Sequence, residues 1–288
     1  MEKTVLNNMF DNLLHIWNKT NFWNTKMKPY IYGWVNGIHV INLLKTSDKL
    51  EEVKKELQEL TSSWKKVLIV ATKIQSRDPF KRLAIDTWCY YVCDKWVPGL
   101  LTNFKTIKKR IASYLQLLSD AESGAFNVLT KKEKATKMLE LEKLDKAYAG
   151  LKEMKKLPDV ILASDGIYEK QALKEAKILG IKSFAIFNTN GDIDLVSNLI
   201  PANTNSTKSF DYLAGELKSA FSKVVAQPKA FIKKIEETKQ IKKTLKKEEI
   251  KVEEKIKTSK VEEKVEAKKE TKKASKPKKE TKKAKKAE

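Results

Sequence analysis

The amino-acid sequence predicts an α/β fold, a parallel sheet flanked by helices. Three observations predict it. Two short apolar runs, Val67–Ala71 and Val160–Ala163, have the composition of strands buried on both faces. Helical patterns alternate with such runs early and late in the chain, as a parallel sheet with crossover helices requires. Between the two α/β stretches lie two charged arms with apolar residues at three–four spacing, which read as an insertion. The expected architecture is therefore flavodoxin-like or Rossmann-like, with an inserted, protruding, antiparallel helical hairpin of coiled-coil character at about 104–156.

The elements follow in order. Residues 1–30 are mixed and rich in aromatics. In Tyr30–Leu43 the pair Asn36-Gly37 separates two apolar runs, the signature of a hairpin or tight turn. A helix is expected over Ser47–Ser63, capped by Ser47, with Leu50, Val53, Leu57 and Leu60 on one stripe. After the strand Val67–Ala71, Asp78 is expected to cap a helix that Pro79 opens and that runs to about Trp88. Tyr90–Cys93 reads as a short strand. In the insertion, Phe104, Ile107, Ile111, Tyr114 and Leu118 mark one arm, and Leu141, Leu144, Tyr148 and Leu151 the other, with breaks at Ser123-Gly124 and Leu129-Thr130. A strand at Asp159–Ser164, a helix at Tyr168–Leu179 closed by Gly180, and a strand at Ser183–Phe187 complete the pattern.

Charge divides the chain into two expected parts, a domain at 1–228 and a tail at 229–288. The 288 residues carry 59 Lys and Arg against 37 Asp and Glu, a net charge of +22. From Lys229 onward there are 24 Lys and 12 Glu, so the tail holds +12. Such a segment buries too little apolar surface to offset chain entropy and is expected to be disordered. Both parts are basic, and a basic chain seeks polyanions, nucleic acid foremost. The longest apolar or aromatic run, Trp88–Cys93, is far short of a membrane span, and Met1–Leu14 lacks the pattern of a secretory leader. A cytoplasmic location is expected.

Catalytic devices are scarce. The turn after the first apolar strand, Thr72-Lys73-Ile74-Gln75, has no glycine, and no Gly-x-Gly-x-x-Gly or phosphate loop occurs. Asp165-Gly166 is a weak signal. Asp192 and Asp194 form a carboxylate pair without visible supporting ligands, so a polar loop is the favoured reading. Cys89 and Cys93 lack the second ligand pair of a zinc site. No enzyme activity, cofactor or metal is expected. The positive signal lies in Trp23–Tyr30 and Lys95–Lys105, where aromatics, amides and lysines interleave, suiting phosphates, sugars and splayed bases. Core aromatics beside solvated lysines give the same pattern, so residue chemistry alone leaves both readings open.

The motifs in these segments resemble the S-two family of small-subunit ribosomal proteins. The resemblance is carried by Trp23-Asn24-Thr25-Lys26-Met27-Lys28-Pro29-Tyr30-Ile31, Asn36-Gly37-Ile38-His39, Leu43-Leu44-Lys45-Thr46 and Thr72-Lys73-Ile74-Gln75. It continues through Lys95–Ile107, Leu157-Pro158-Asp159, Lys174–Ile181, Asn188–Asp194 and Ile200–Ser209, spanning roughly residues 10 to 225 in order. The chain departs from the family pattern at Trp17, Asn18, Lys95, Pro98, Asn188 and Ile193.

The resemblance implies a structural, non-catalytic constituent of the small ribosomal subunit. Its implied partners are small-subunit rRNA, neighbouring ribosomal proteins and the large mRNA-binding ribosomal protein S-one. No membrane and no small-molecule substrate are implied. The residues expected to contact RNA lie in or beside the shared blocks: Trp23, Asn24, Lys26, Lys28, Tyr30, Lys73, Lys95, Trp96, Thr102, Asn103, Lys105, Lys108, Lys109 and Arg110. Two rival readings remain: an α/β enzyme using a nucleotide or sugar phosphate, and a free nucleic-acid-compacting protein driven by the tail.

Overall fold

The structure, a computed structural model, describes residues 2–221. The expected tail at 229–288 lies outside the described residues. Five parallel strands form the central sheet: β4 (Val67–Val70), β5 (Tyr90–Val92), β6 (Val160–Ala163), β7 (Lys182–Phe187) and β8 (Asn198–Pro201). Their order across the sheet is β5-β4-β6-β7-β8, so the chain starts inside the sheet, steps to one edge, then crosses back to build the other side. Leu68 pairs with Tyr90 on one side and Ile161 on the other. Both apolar runs read as central strands are thus central, with every residue of β4 and β6 buried.

Side-chain alternation along the strands separates two cores. Val67 and Ile69 face helices α2 (Leu43–Ser62), α3 (Ile74–Asp86) and α7 (Thr207–Lys218), where Leu50, Val53, Leu57, Phe80, Leu83, Phe210 and Leu213 are buried. Leu68, Val70 and Ile161 face the other way, onto α4 (Phe104–Glu122), α5 (Lys131–Tyr148) and α6 (Lys170–Ile178). Over β6–β8 that second face is covered instead by a small antiparallel sheet. Its strands are β1 (Ile16–Lys19), β2 (Ile31–Val35) and β3 (Ile38–Ile41), in the order β1-β3-β2. Trp17, Met27 and Ile41 pack there against Ala163, Ala185, Phe187 and Leu199. A short helix, α1 (Glu2–Asp11), precedes it.

Turn and cap chemistry explain most boundaries. Asn36 and Gly37 both take positive φ, +50° and +75°, the type I′ geometry that matches strand twist in the β2–β3 hairpin. Gly180, at φ +66°, closes α6, and the N–H of Ile181 donates to Ala176 and that of Gly180 to Lys177, a Schellman cap. Thr130 opens α5 with a reciprocal capping box to Glu133. Tyr114 of α4 donates its hydroxyl to Asp145 of α5, and Ile107, Ile111 and Tyr148 share one core, so the start of α4 lies against the end of α5.

Two expected caps are corrected. Asn42, not Ser47, caps α2: its side chain accepts from the Leu44 N–H, and the helix begins four residues earlier than expected. Helix α3 begins at Ile74, so Asp78 and Pro79 lie inside it. Pro79 has no N–H to donate to Gln75, yet it is buried beside Phe80, and packing against α7 outweighs one missing bond. The helix expected from Tyr168 starts at Lys170, because Asp165–Glu169 form the turn above β6.

Candidate nucleic-acid interface

The residues expected to meet RNA fall into two groups, each held by a different part of the chain, with Lys73 apart. The first group is Trp23–Tyr30. Residues Thr25–Tyr30 form a 3-10 turn whose Met27 is fully buried, an apolar pin that fixes the segment. Asn24 caps the turn, accepting from the Lys26 N–H at 3.1 Å. Its amide also donates to the Gly191 carbonyl at 2.9 Å, and its backbone N–H to Thr189 at 2.7 Å. The loop after β7 therefore docks the segment. Lys26 pairs with Asp194 of that loop, which raises the Lys26 pKa and lowers that of Asp194 through their hydrogen bond. Lys28 and Trp23 are exposed, and Tyr30 is half-buried.

Asp192 caps a short 3-10 turn at Ile193–Leu195, and Asp194 pairs with Lys26.

The second group is built around one buried carboxylate. Glu175 of α6 is 3% exposed and accepts four hydrogen bonds from the loop that precedes α4. Its Oε1 accepts from the Trp96 indole N–H at 3.2 Å and from the Gly99 N–H at 2.8 Å. Its Oε2 accepts from the Leu101 N–H at 3.0 Å and the Thr102 N–H at 3.4 Å. Gly99 takes φ +82°, and Leu100 and Leu101 plug the core beneath. The loop is thus pinned from below, and Lys95, Thr102 and Asn103 point outward, exposed.

Helix α4 continues this surface. Ile107, Ile111 and Tyr114 face the core, which places Lys105, Lys108 and Lys109 on the opposite face, all exposed. Arg110 is exposed on the flank. The first turn has no acidic residue, so the positive end of the helix dipole adds to the lysines. This is the densest unpaired positive surface that the expected residues build.

Lys73 and Trp96 are engaged internally. The Lys73 ammonium lies 2.7 Å from buried Asp165 and 3.1 Å from Asn205. Trp96 is half-buried, its indole N–H directed to Glu175. Neighbouring Glu169 is also buried and accepts from the N–H and hydroxyl of Thr72, at 2.6 Å and 2.9 Å. Burial pushes its carboxyl up to about 7. Ser76 and Ser164 share a hydrogen bond of 2.7 Å close by. These groups occupy the carboxyl ends of β4 and β6, where an α/β enzyme would hold its ligand. They satisfy one another, and the ring of Phe187 closes against Gly166 and Gly191, at whose positions a Cβ would sit 2.2 Å and 2.1 Å from it.

Among the described residues, no group of three or more His, Cys, Asp or Glu is placed to hold a metal ion. Cys89 and Cys93 are free thiols, pushed by burial up to about 11 and about 12. No helix among the described residues is long and apolar enough to cross a membrane.

Sequence reasoning missed Glu175, Glu169 and an amide cluster in which Asn18 contacts Asn188, Asn190 and Asn205. Glu175 lies in the Lys174–Ile181 block and its four donors in the Lys95–Ile107 block. Nothing local to either block signals this contact, because only the fold brings the two together.

Comparison with known proteins gives a consistent result. Residues 9–224 match the family model for ribosomal protein S2. The small ribosomal subunit protein uS2 of Coprothermobacter proteolyticus is 39% identical over 220 residues, 76% of this chain and 82% of that protein. That of Actinobacillus pleuropneumoniae serotype 3 is 39% identical over 209 residues, 73% of this chain and 88% of its own. That of Mannheimia succiniciproducens is 35% identical over 237 residues, covering 82% and 98%.

Proposed function

The chain belongs to the ribosomal protein S2 family, and from that premise we propose that it is a structural, non-catalytic constituent of the small ribosomal subunit, holding rRNA with fixed positive charge. The observation that carries this reading is the family match, which spans nearly all of the described domain. The lysine face of α4 above the Glu175-anchored loop supports it, because rigidly placed cations engage phosphates in a fixed register. The Trp23–Tyr30 segment supplies a second contact of amides, aromatics and Lys28. The order of the parallel strands favours the flavodoxin-like form of the fold. The helices α4 and α5 serve as a protruding coiled-coil hairpin, and residues 229–288, with their net +12, as a phosphate-seeking segment. Neighbouring small-subunit proteins, the S-one protein among them, complete the proposed partners, in a cytoplasmic ribosome.

The test compares full-length protein with a Lys105→Glu, Lys108→Glu, Lys109→Glu variant. Each is sedimented through a sucrose gradient with small subunits, and each is titrated into small-subunit rRNA and an unrelated RNA of equal length. The expected result is that the parent protein co-sediments and prefers its rRNA, while the variant loses the preference. A parent protein that stays at the top of the gradient, or binds both RNAs equally, overturns the reading.

A further inference from the structure

We propose that Trp23 and Trp34 form an aromatic platform on the small antiparallel sheet that stacks unpaired RNA bases. The proposal deepens the reading of the chain as an rRNA-binding protein and rests on it. Trp34 of β2 lies directly across from His39 of β3, and residues so paired share a face of the sheet. The Trp23 ring lies 6.0 Å from the His39 ring, tilted by 60°. Trp23 and Trp34 are thus both neighbours of His39, the first through its ring and the second across the strand pair. His39 itself is 9% exposed, whereas Trp34 is 72% and Trp23 42% exposed. Both ring nitrogens of His39 are buried without a hydrogen-bond partner among the described residues.

The backbone beneath both indoles is fixed before any ligand arrives. Trp34 is two residues from the type I′ turn at Asn36-Gly37, and Trp23 directly precedes the Asn24 cap. A backbone already ordered has less freedom to lose when a base stacks on the rings it carries.

Charge identifies the occupant. Between Asp11 and Asp48 the sequence contains Lys19, Lys26, Lys28 and Lys45 and no acidic residue. Lys26 is taken up by Asp194 and Lys45 by the Pro29 carbonyl. Lys19 and Lys28 are exposed and make no ion pair with the described residues. Exposed indoles flanked by cations and amides fit a single-stranded polyanion with π-faces. An apolar protein surface would leave these cations without counter-charge.

The experiment uses the full-length chain at elevated salt, where the phosphate contacts of the tail are weakened. Wild type, Trp34→Ala and Trp34→Phe are titrated with a single-stranded oligouridine about a dozen nucleotides long, within the site sizes of stacking proteins, and with an RNA duplex of equal length. Trp34→Ala is expected to lose about tenfold in oligouridine affinity, from one lost stacking contact. Trp34→Phe should keep most of that affinity, and duplex binding should not change. Equal binding of oligouridine by wild type and Trp34→Ala overturns the platform. So does a Trp34→Ala variant that binds RNA normally but sheds a neighbouring protein from the particle, since the face would then dock protein. Co-sedimentation of the same variants with small subunits is read separately: a platform that fails in a protein that still co-sediments leaves the ribosomal assignment standing.

Discussion

Replacing Glu175 should release the loop that carries Lys95 through Asn103. The carboxylate accepts from Gly99, Leu101 and Thr102 backbone N–H groups and from the Trp96 indole. In Glu175→Gln, the amide oxygen can still serve one pair of donors, but the amide nitrogen meets the other pair donor to donor. Two donors in a region where Glu175 is 3% exposed then lose their acceptor. At about 1.5 kcal/mol for each of the two unsatisfied donors, towards the lower end of the usual range, the loss is about 3 kcal/mol. For a domain of this size, that lowers the melting temperature by about 6–12 °C. The assay is thermal unfolding followed by circular dichroism, paired with titration of small-subunit rRNA. Weaker rRNA binding well below the melting point, with Lys105, Lys108 and Lys109 all intact, would show that the loop positions the RNA contacts. A Glu175→Gln protein that melts and binds like wild type would refute the reasoning, because the loop would then be held by Leu100 and Leu101 alone.

Three further outcomes are expected. Glu169 is raised from 4.5 to about 7, chiefly by burial, so folding favours its protonated form. That stabilisation is complete below pH 4.5 and is lost as pH climbs through about 7; it amounts to about 3 kcal/mol at most. Glu169→Gln should flatten the stability profile across this window in denaturant titrations, and a profile that keeps the wild-type slope counts against the assignment. Gly166→Ala puts a Cβ 2.2 Å from the Phe187 ring and should cost about 1–3 kcal/mol, read as a lower denaturation midpoint; an unchanged midpoint would show that Phe187 can move aside. Removing residues 229–288, with their net +12, should leave unfolding of the domain unchanged and flatten the salt dependence of RNA binding by about 0.7–0.9 in slope per lost phosphate contact. If the truncation instead abolishes the preference for small-subunit rRNA, the tail and not the domain is the recognition element.

Local chemistry was legible wherever one segment decides its own conformation. Val67–Val70 and Val160–Ala163 could only be central strands, since their residues are apolar on both faces and all are buried. Asn36-Gly37 needed no tertiary help to adopt positive φ, nor did Gly180 to end its helix. The shared motif blocks point to the family from the sequence alone. Boundaries were harder where two capping residues competed. Asn42 prevails over Ser47 because Thr46 must be inside the helix, its hydroxyl donating to the Pro201 carbonyl 2.8 Å away on β8. The start of α3 was obscured by Pro79, which reads as a first-turn residue until the packing against α7 is known.

The amino-acid pattern therefore settles the class of fold, the basic character and the family, because periodicity, turn chemistry and motif order are properties of neighbouring residues. Which polar residues are free to act is settled only by tertiary contacts. Lys73 and Lys105 look alike in sequence, yet Asp165 lies 2.7 Å from the first and the second faces solvent. Trp96 and Trp34 look alike as well, yet Glu175 claims the indole of one while the other stands 72% exposed at the edge of a sheet. A charge or ring is available to a partner only when folding brings no internal partner to it, and that depends on residues more than a hundred positions away as readily as on those beside it.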